Sequence, residues 1–230
     1  MRHVLGAVIL LGGLLAAPAG AADQSQRGEL RVLYRGEVVG REVYDISATA
    51  TELHARGDIT YEQGEHKLRQ TTDLLLGGDA APRRYEWKLE GPRQSWLRME
   101  FEGGRATVWF PREDNKEEQQ VYDFGSGHLA LLDINVFHHF LLLARLYDFA
   151  RGGPQTIQVF VPQSVQPGTV TVELQGVETL PVDGTPQPVR HLSILSEDNQ
   201  VQLWVTEAGR FVRLTAPEAD VEVLPAERAP

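Results

Sequence analysis

Leu97-Arg-Met-Glu-Phe-Glu-Gly-Gly-Arg-Ala-Thr-Val-Trp-Phe110 is the stretch that decides the fold. Leu97, Met99 and Phe101 alternate with Arg98 and Glu100. After Gly103-Gly104 the same beat resumes at Ala106, Val108 and Phe110. Successive side chains of a strand point to opposite faces, so each arm reads as a strand with one apolar and one polar face. Glycine supplies the positive φ that a tight hairpin turn needs. The segment therefore predicts an antiparallel hairpin that buries one face and wets the other.

The beat of two continues in both directions. Tyr44, Ile46, Ala48 and Ala50 share a face, as do Leu53 and Ala55, and as do Tyr85, Trp87 and Leu89. Later come Ile157, Val159 and Val161, then Val170, Val172 and Leu174, then Val201, Leu203 and Val205. Glu207-Ala208-Gly209-Arg210 reads as a second tight turn. Gly77 to Pro82 and Pro181 to Pro188 read as turns or loops, and Pro111 to Gln120 as a longer, charged, exposed loop. About a dozen short strands at this spacing predict a mainly-β domain, a sandwich or a barrel. No linker or internal repeat interrupts them, so residues 23–230 read as a single β-rich domain with a short flexible C-terminal tail.

One segment departs from this pattern. Asp133 to Phe149 is long, rich in helix formers and closed by Gly152-Gly153-Pro154. Asp133 or Asn135 can cap its N-terminus. His138, Arg145 and Asp148 share a polar stripe, while Val136, Phe137, Phe140, Leu141 and Leu143 leave most of the circumference apolar. Such a helix must be covered on most sides, and the apolar face of the sheet is the simplest cover.

The chain opens with an export signal. Arg2 gives a positive start, Val4 to Leu15 an uncharged apolar run, and Ala19 and Ala21 a small-residue cleavage pattern. The run is too short to span a bilayer, which takes about 20 apolar residues. Residues 1–22 are expected to be removed, placing the mature chain in the periplasm or outside the cell, with no transmembrane segment. The absence of cysteine excludes disulfides, thiol catalysis and thiolate metal sites. With 22 basic against 32 acidic residues the formal net charge is −10, and loss of Arg2 makes it one unit more acidic. That balance argues against a nucleic-acid partner, whose recognition is dominated by cationic contacts.

No catalytic or cofactor signature stands out. His138 and His139 are adjacent, about 100° apart on a helix, whereas metal pairs recur at i,i+3 or i,i+4. They read as satisfied or solvent-facing histidines. Gly125-Ser126-Gly127 resembles a nucleophile elbow only in part, because Phe124 stands where that turn needs glycine. The expectation is no catalytic residue, no metal and no cofactor. The alternation does bring Tyr85, Trp87, Met99, Phe101 and Phe110 to one side of neighbouring strands, with Phe137 and Phe140 on the helix above. These seven are the candidate lining of a site for an apolar or lipid-like ligand. Trp96, Trp109 and Trp204 phase to the outer face, where a cluster of them would mark a protein-binding patch.

Two further stretches carry a resemblance. Gly28-Glu-Leu-Arg-Val-Leu-Tyr-Arg-Gly-Glu-Val-Val-Gly-Arg-Glu-Val-Tyr44 resembles the first hairpin of exported bacterial domains of unknown function. Leu203-Trp-Val-Thr-Glu-Ala-Gly-Arg-Phe-Val-Arg-Leu214 resembles their closing hairpin, and Val159-Phe-Val-Pro162 also fits. These domains are similar in architecture to the LolA/LolB lipoprotein carriers. The resemblance implies a strongly curved antiparallel sheet, half-barrel or barrel, wrapped over helical cover, which in this chain would be the one substantial helix read at 133–149. It also implies the cell envelope as the compartment; the aromatic inner face and the apolar helix then point to a non-catalytic protein that holds an apolar or lipid-like ligand between sheet and helix. The alternatives are a structural or protein-interaction module of the periplasm with a filled core and an envelope-protein partner and, behind it, an enzyme whose carboxylate or histidine site carries no recognisable motif.

Overall fold

The computed structural model describes residues 25–226, except 64, 65, 93, 115, 126 and 198. Residues 1–22, expected to be an export signal, residues 227–230 of the tail and Ser126 lie outside the described residues. Nine strands come first: Gln26–Tyr34 (β1), Glu37–Ala48 (β2), Glu52–Gln63 (β3), His66–Gly77 (β4), Pro82–Glu90 (β5), Ser95–Glu102 (β6), Arg105–Pro111 (β7), Glu117–Asp123 (β8) and Leu129–Leu131 (β9). The helix His138–Leu146 (α1) follows. Six more strands complete the chain: Gln155–Val161 (β10), Gln166–Val182 (β11), Thr185–Leu195 (β12), Gln200–Thr206 (β13), Phe211–Ala216 (β14) and Val221–Pro225 (β15). No helix among the described residues is long and apolar enough to cross a membrane.

All fifteen strands share one sheet, in the order β8-β7-β6-β5-β4-β3-β2-β1-β15-β14-β13-β12-β11-β10-β9. Two meanders, β1 to β8 and β9 to β15, meet where β1 pairs with β15. Every pairing is antiparallel except β9 with β10. β8 and β9 are the two ends of this ladder, yet only residues 124–128 connect them. Those few residues reach at most roughly 20 Å. The sheet must therefore roll until its ends meet.

They meet through side chains rather than backbone hydrogen bonds, so the ladder is not closed into a barrel. Phe160 of β10 sits 5.1 Å from Tyr122 and 5.4 Å from Phe124, ring centre to ring centre. The β9–β10 end tucks inside the roll. Leu129, Ala130 and Leu131 are all buried, and so are both Val159 and Phe160, which point to opposite faces. The crossing link presses on the β6–β7 hairpin. Phe124 donates its N–H to the Gly104 carbonyl at 2.8 Å, and a Cβ on Gly104 would lie 2.0 Å from the Gly125 oxygen.

The alternation read from sequence holds on the inner face. Ile46, Ala55, Leu74, Tyr85, Met99 and Val108 are buried there with Leu141 and Leu143 of α1, in one continuous core. Each large side chain so buried contributes about 1.5–3 kcal/mol.

Four expectations need correction. There are fifteen strands rather than about a dozen, partly because the loops are shorter than expected. The stretch Pro111 to Gln120 is a short connection, with Pro111 ending β7 and Glu117 beginning β8. Glu117 and Glu118 belong to an edge strand, where charge blunts unwanted pairing, while Glu113 and Asp114 lie in the connection. Pro181 to Pro188 is also mostly strand, turning only at Asp183-Gly184, both with positive φ. Prolines are tolerated there because β10 pairs only with residues 166–172 of β11, and β13 only with residues 189–195 of β12. Neither strand therefore has a neighbour on its second side at the arm, as proline requires.

The fourth correction is the helix, which spans nine residues instead of 133–149. Asn135 has φ +60°, which a right-handed helix cannot continue. At the far end Asp148 Oδ1 accepts the N–H groups of Ala150 and Arg151, a local turn that competes with the helix.

Gly104→Ala is expected to cost about 3 kcal/mol, by positive φ and by collision with the loop. Gly103→Ala, with open space around its Cβ, should cost about 1 kcal/mol. Denaturant titrations of the two variants give the comparison; equal costs would mean the link does not press on this hairpin.

Candidate functional site

The inner face is not wholly apolar. Glu42 on β2 is in phase with Tyr44 and Ile46, and Gln70 and Thr72 on β4 are in phase with Leu74. All three polar side chains are buried, together with Asp133, His138 and His139 opposite them. They form one polar island where the chain enters α1.

Glu42 is its centre. Its Oε2 accepts the Phe137 N–H at 2.8 Å, and its Oε1 accepts the His138 N–H at 3.2 Å. The same Oε1 takes the Nδ1–H of His138. The first N–H groups of a helix have no partner within it, and the helix dipole makes that end positive. Neither Asp133 nor Asn135 caps α1, contrary to expectation. Phe137 stands at the cap position with no side-chain bond of its own, and a carboxylate from β2 supplies the cap instead. His138 can approach because β3 presents Gly57. A Cβ at that position would lie 2.7 Å from both His138 Cε1 and Thr72 Oγ1. Tyr44 stacks parallel to His138 at 6.0 Å, and its phenol is pushed up to about 12 by burial and then by the Glu42 charge.

The loop before the helix is strapped down by the same island. Tyr85 donates its hydroxyl to Asp133 Oδ2 at 2.5 Å. Asp133 Oδ1 accepts the backbone N–H of Ile134 at 2.9 Å and of Gln163 at 3.0 Å. Gln70 donates to the carbonyls of Ile134 and Asn135, and receives the indole N–H of Trp87 at 3.2 Å. Tyr61 donates to the same Asn135 carbonyl and Gln163 to that of Ile134, so each of the two has a second donor. Buried backbone groups in an irregular segment need such partners.

The two histidines are fully buried, so neither faces solvent. His139 Nδ1 accepts the Asp133 N–H at 3.3 Å, which leaves its proton on Nε2. Burial, and then the neighbouring His138, hold its pKa well below the ordinary 6.5. Burial raises Asp133 above the usual carboxylate range, against the opposing pull of the Tyr85 hydroxyl and the Gln163 and Ile134 N–H groups. A carboxylate–imidazole pair can move protons in principle, but this one is sealed from solvent and its acceptor oxygens are occupied by the helix. Among the described residues no group of three or more His, Asp or Glu side chains is arranged to hold a metal ion.

The seven candidate lining residues all reach the main core. Tyr85, Trp87, Met99 and Phe137 are buried, while Phe101, Phe110 and Phe140 are partly buried against the same cluster. Tyr85 and Trp87 have a second role, as straps on the helix approach, that alternation alone did not reveal. The outer tryptophans do not form one patch. Trp96 and Trp109 lie on the adjacent strands β6 and β7, with Arg98 over the Trp109 ring at 4.5 Å. Trp204 belongs to a separate small cluster on β13, stacked at 4.2 Å on His191. An open groove of about 400 Å³ runs over β2 to β5, lined by charged outer-face side chains including Arg56, Asp58, Asp73 and Lys88. There Arg69 pairs with Asp58 at 2.8 Å and holds its carboxyl below the usual range.

Alternation in the sequence does not single out Glu42, which lies in the first hairpin. The available signal was a charged residue in phase with a buried apolar face, 95 positions from the helix it caps.

No known protein family matches the sequence, and no curated protein matches it. Solved structures do. The chain is similar to a β-barrel-like protein of the domain of unknown function DUF1849 from Brucella abortus, at TM-score 0.57 and 12% identity, over 87% of this chain and 94% of that one. The fold is shared. A DUF1089 family protein from Pseudomonas aeruginosa overlaps 93% of this chain and 98% of its own, at TM-score 0.48 and 11% identity.

Glu42→Gln puts an amide where two N–H groups and an imidazole N–H converge. The loss expected is about 1–3 kcal/mol, the cost of leaving a buried donor without its acceptor. Urea titration measures it; a loss under 1 kcal/mol would show that the cap is dispensable. Protonation gives a second prediction. Folded His139 refuses a proton that the unfolded chain accepts, so stability falls as pH drops below 6.5. The slope is up to about 1.4 kcal/mol per pH unit. Asp133 acts oppositely: its contribution is complete below its ordinary 3.8 and is lost as pH rises through its raised value. His139→Gln should flatten the limb just below pH 6.5 in unfolding curves, whatever its effect on overall stability.

Proposed function

We propose that this chain is a non-catalytic, exported module of the cell envelope that works through its outer surface, with a filled interior. The observation that carries this reading is the continuity of the core. The aromatic face of β5 to β7, the helix α1 and the second meander share one buried cluster. The helix is also tied at its start by the buried carboxylate of Glu42. A ligand between sheet and helix would have to displace α1 and leave that charge without partners, which is costly in a low-dielectric interior. The export signal supports the envelope as its place of work. The acidic balance and the absence of cysteine support a role without nucleic acid or thiol chemistry. The runner-up is a carrier of an apolar or lipid-like ligand, a reading that rests on the aromatic inner face of β5 to β7 and the apolar helix above it.

Native mass spectrometry of the purified protein should give the mass of the chain alone. Vesicle-derived phospholipids, free fatty acids and lipoprotein acyl chains should leave its Tm unmoved. A co-purifying lipid, or a Tm rise saturating with one lipid class, would favour the carrier instead.

A further inference from the structure

The inference deepens the interaction-module reading by naming the surface and the chemistry of what it binds. A rolled sheet that fails to close has two ends. One of them, β9, is tucked inside and covered on both faces. The other, β8, stands at the rim. Glu117, Gln119, Val121 and Asp123 are exposed along one face, and the opposite face is only half-buried. β8 pairs with β7 over seven residues in unbroken register, from Arg105 opposite Asp123 to Pro111 opposite Glu117. Its other flank has no strand partner among the described residues. Such a flank presents unpaired N–H and C=O groups, and proteins commonly blunt it with bulges, proline, lysine or short length. Residues 117–123 contain no proline and no lysine, and the pairing holds no bulge.

The protection that β8 does have is charge of one sign. Glu117, Glu118 and Asp123 are acidic, and no residue of the strand is basic. Several carboxylates elsewhere on the outer face are neutralised across strands, as Asp58 is by Arg69 and Glu222 by Arg213, and on β8 itself Glu118 lies 3.9 Å from Arg112. Neither Glu117 nor Asp123 makes an ion pair among the described residues. This pattern repels a second copy of the chain. Antiparallel pairing of two β8 strands about Gln120 would set Glu117 against Asp123, and like charges directly opposite are destabilising. The same pattern attracts a strand of the other sign.

We propose that the β8 edge accepts an extended, basic segment of another envelope protein, added antiparallel as a sixteenth strand. Main-chain hydrogen bonds give such strand addition its affinity, and alternate side chains give its specificity. The segment carries Lys or Arg opposite Asp123 and Glu117, and a β-branched residue opposite Val121, which is 53% exposed.

The probe is the peptide Lys-Thr-Val-Thr-Thr-Thr-Lys, blocked at both ends, added to the mature chain. Amide hydrogen exchange followed by mass spectrometry should slow in residues 117–123 and not on the β9 side. The peptide with Glu in place of both Lys, and the peptide with alternate amides N-methylated, should give no protection. E117K/D123K reverses both end charges. Because Asp123 faces Arg105 and its Oδ1 accepts the Gly125 N–H, the exchange pattern of the variant without peptide is compared first with that of the parent, and E117K alone serves as the variant that leaves those contacts in place. The double variant should weaken the Lys peptide about tenfold or more and favour the Glu peptide, since each cross-strand charge pair is worth roughly 0.2–1 kcal/mol. Three outcomes would overturn the proposal: no protection of 117–123 by the Lys peptide, equal protection by the N-methylated one, or protection that instead follows protein concentration through a dimer. Each is distinct from the lipid result above, which tests the filled interior and not this edge.

Discussion

A single carboxylate holds the roll together from the inside. Glu42 has no exposed surface, and a charge placed there without partners would be ruinous. It is tolerated because three N–H groups converge on it, two from the start of α1 and one from the His138 ring. The dependence is mutual. α1 is short, lacks a local cap and begins after a residue in left-handed backbone, so it has little stability of its own. Glu42 gives it a fixed starting point on the sheet. From that point the apolar side of α1 falls onto the inner faces of both meanders.

The island around Glu42 also explains how an irregular loop survives in an interior. Residues 133–137 cannot use a ladder or a helix to satisfy their backbone. Gln70, Tyr61 and Gln163 take their carbonyls, and Glu42 and Asp133 take their N–H groups. Tyr85 and Trp87 then hold Asp133 and Gln70 in place. What alternation presents as an aromatic wall is thus partly a set of hydrogen-bond donors. That double role turns a prospective ligand face into a fastening for the helix, and it shifts attention to the outer surface. The likeness to a β-barrel-like domain of unknown function concerns this rolled fold and leaves the chemistry of the surface to each chain.

The rim follows from the same geometry. A short link between the two ends of a fifteen-strand ladder forces the sheet to roll, and one end must then pass inside the other. The inner end is covered by packing. The outer end cannot be, and it is left to charge. Glu117 and Asp123 make no ion pair among the described residues, and they stand at the two ends of an edge that has no strand partner there.

Alternation along the chain determined the strands, their buried faces and the tight turns at Gly103-Gly104 and Ala208-Gly209, because the period of two is a local property of extended backbone. The same local signal announced a helix near 133–149, but not its true limits. Those are set by Asn135, Asp148 and a carboxylate 95 residues away. Proline and charge disguised β8 and the tip of β11–β12 as loops, since whether a strand has a neighbour on each side is not written locally. The partners of His138, the fastening of Tyr85 and Trp87, and the order that sends β8 and β9 to opposite ends are long-range facts. Only the tertiary structure decided them, because each joins groups that share no stretch of sequence and meet only when the sheet has rolled.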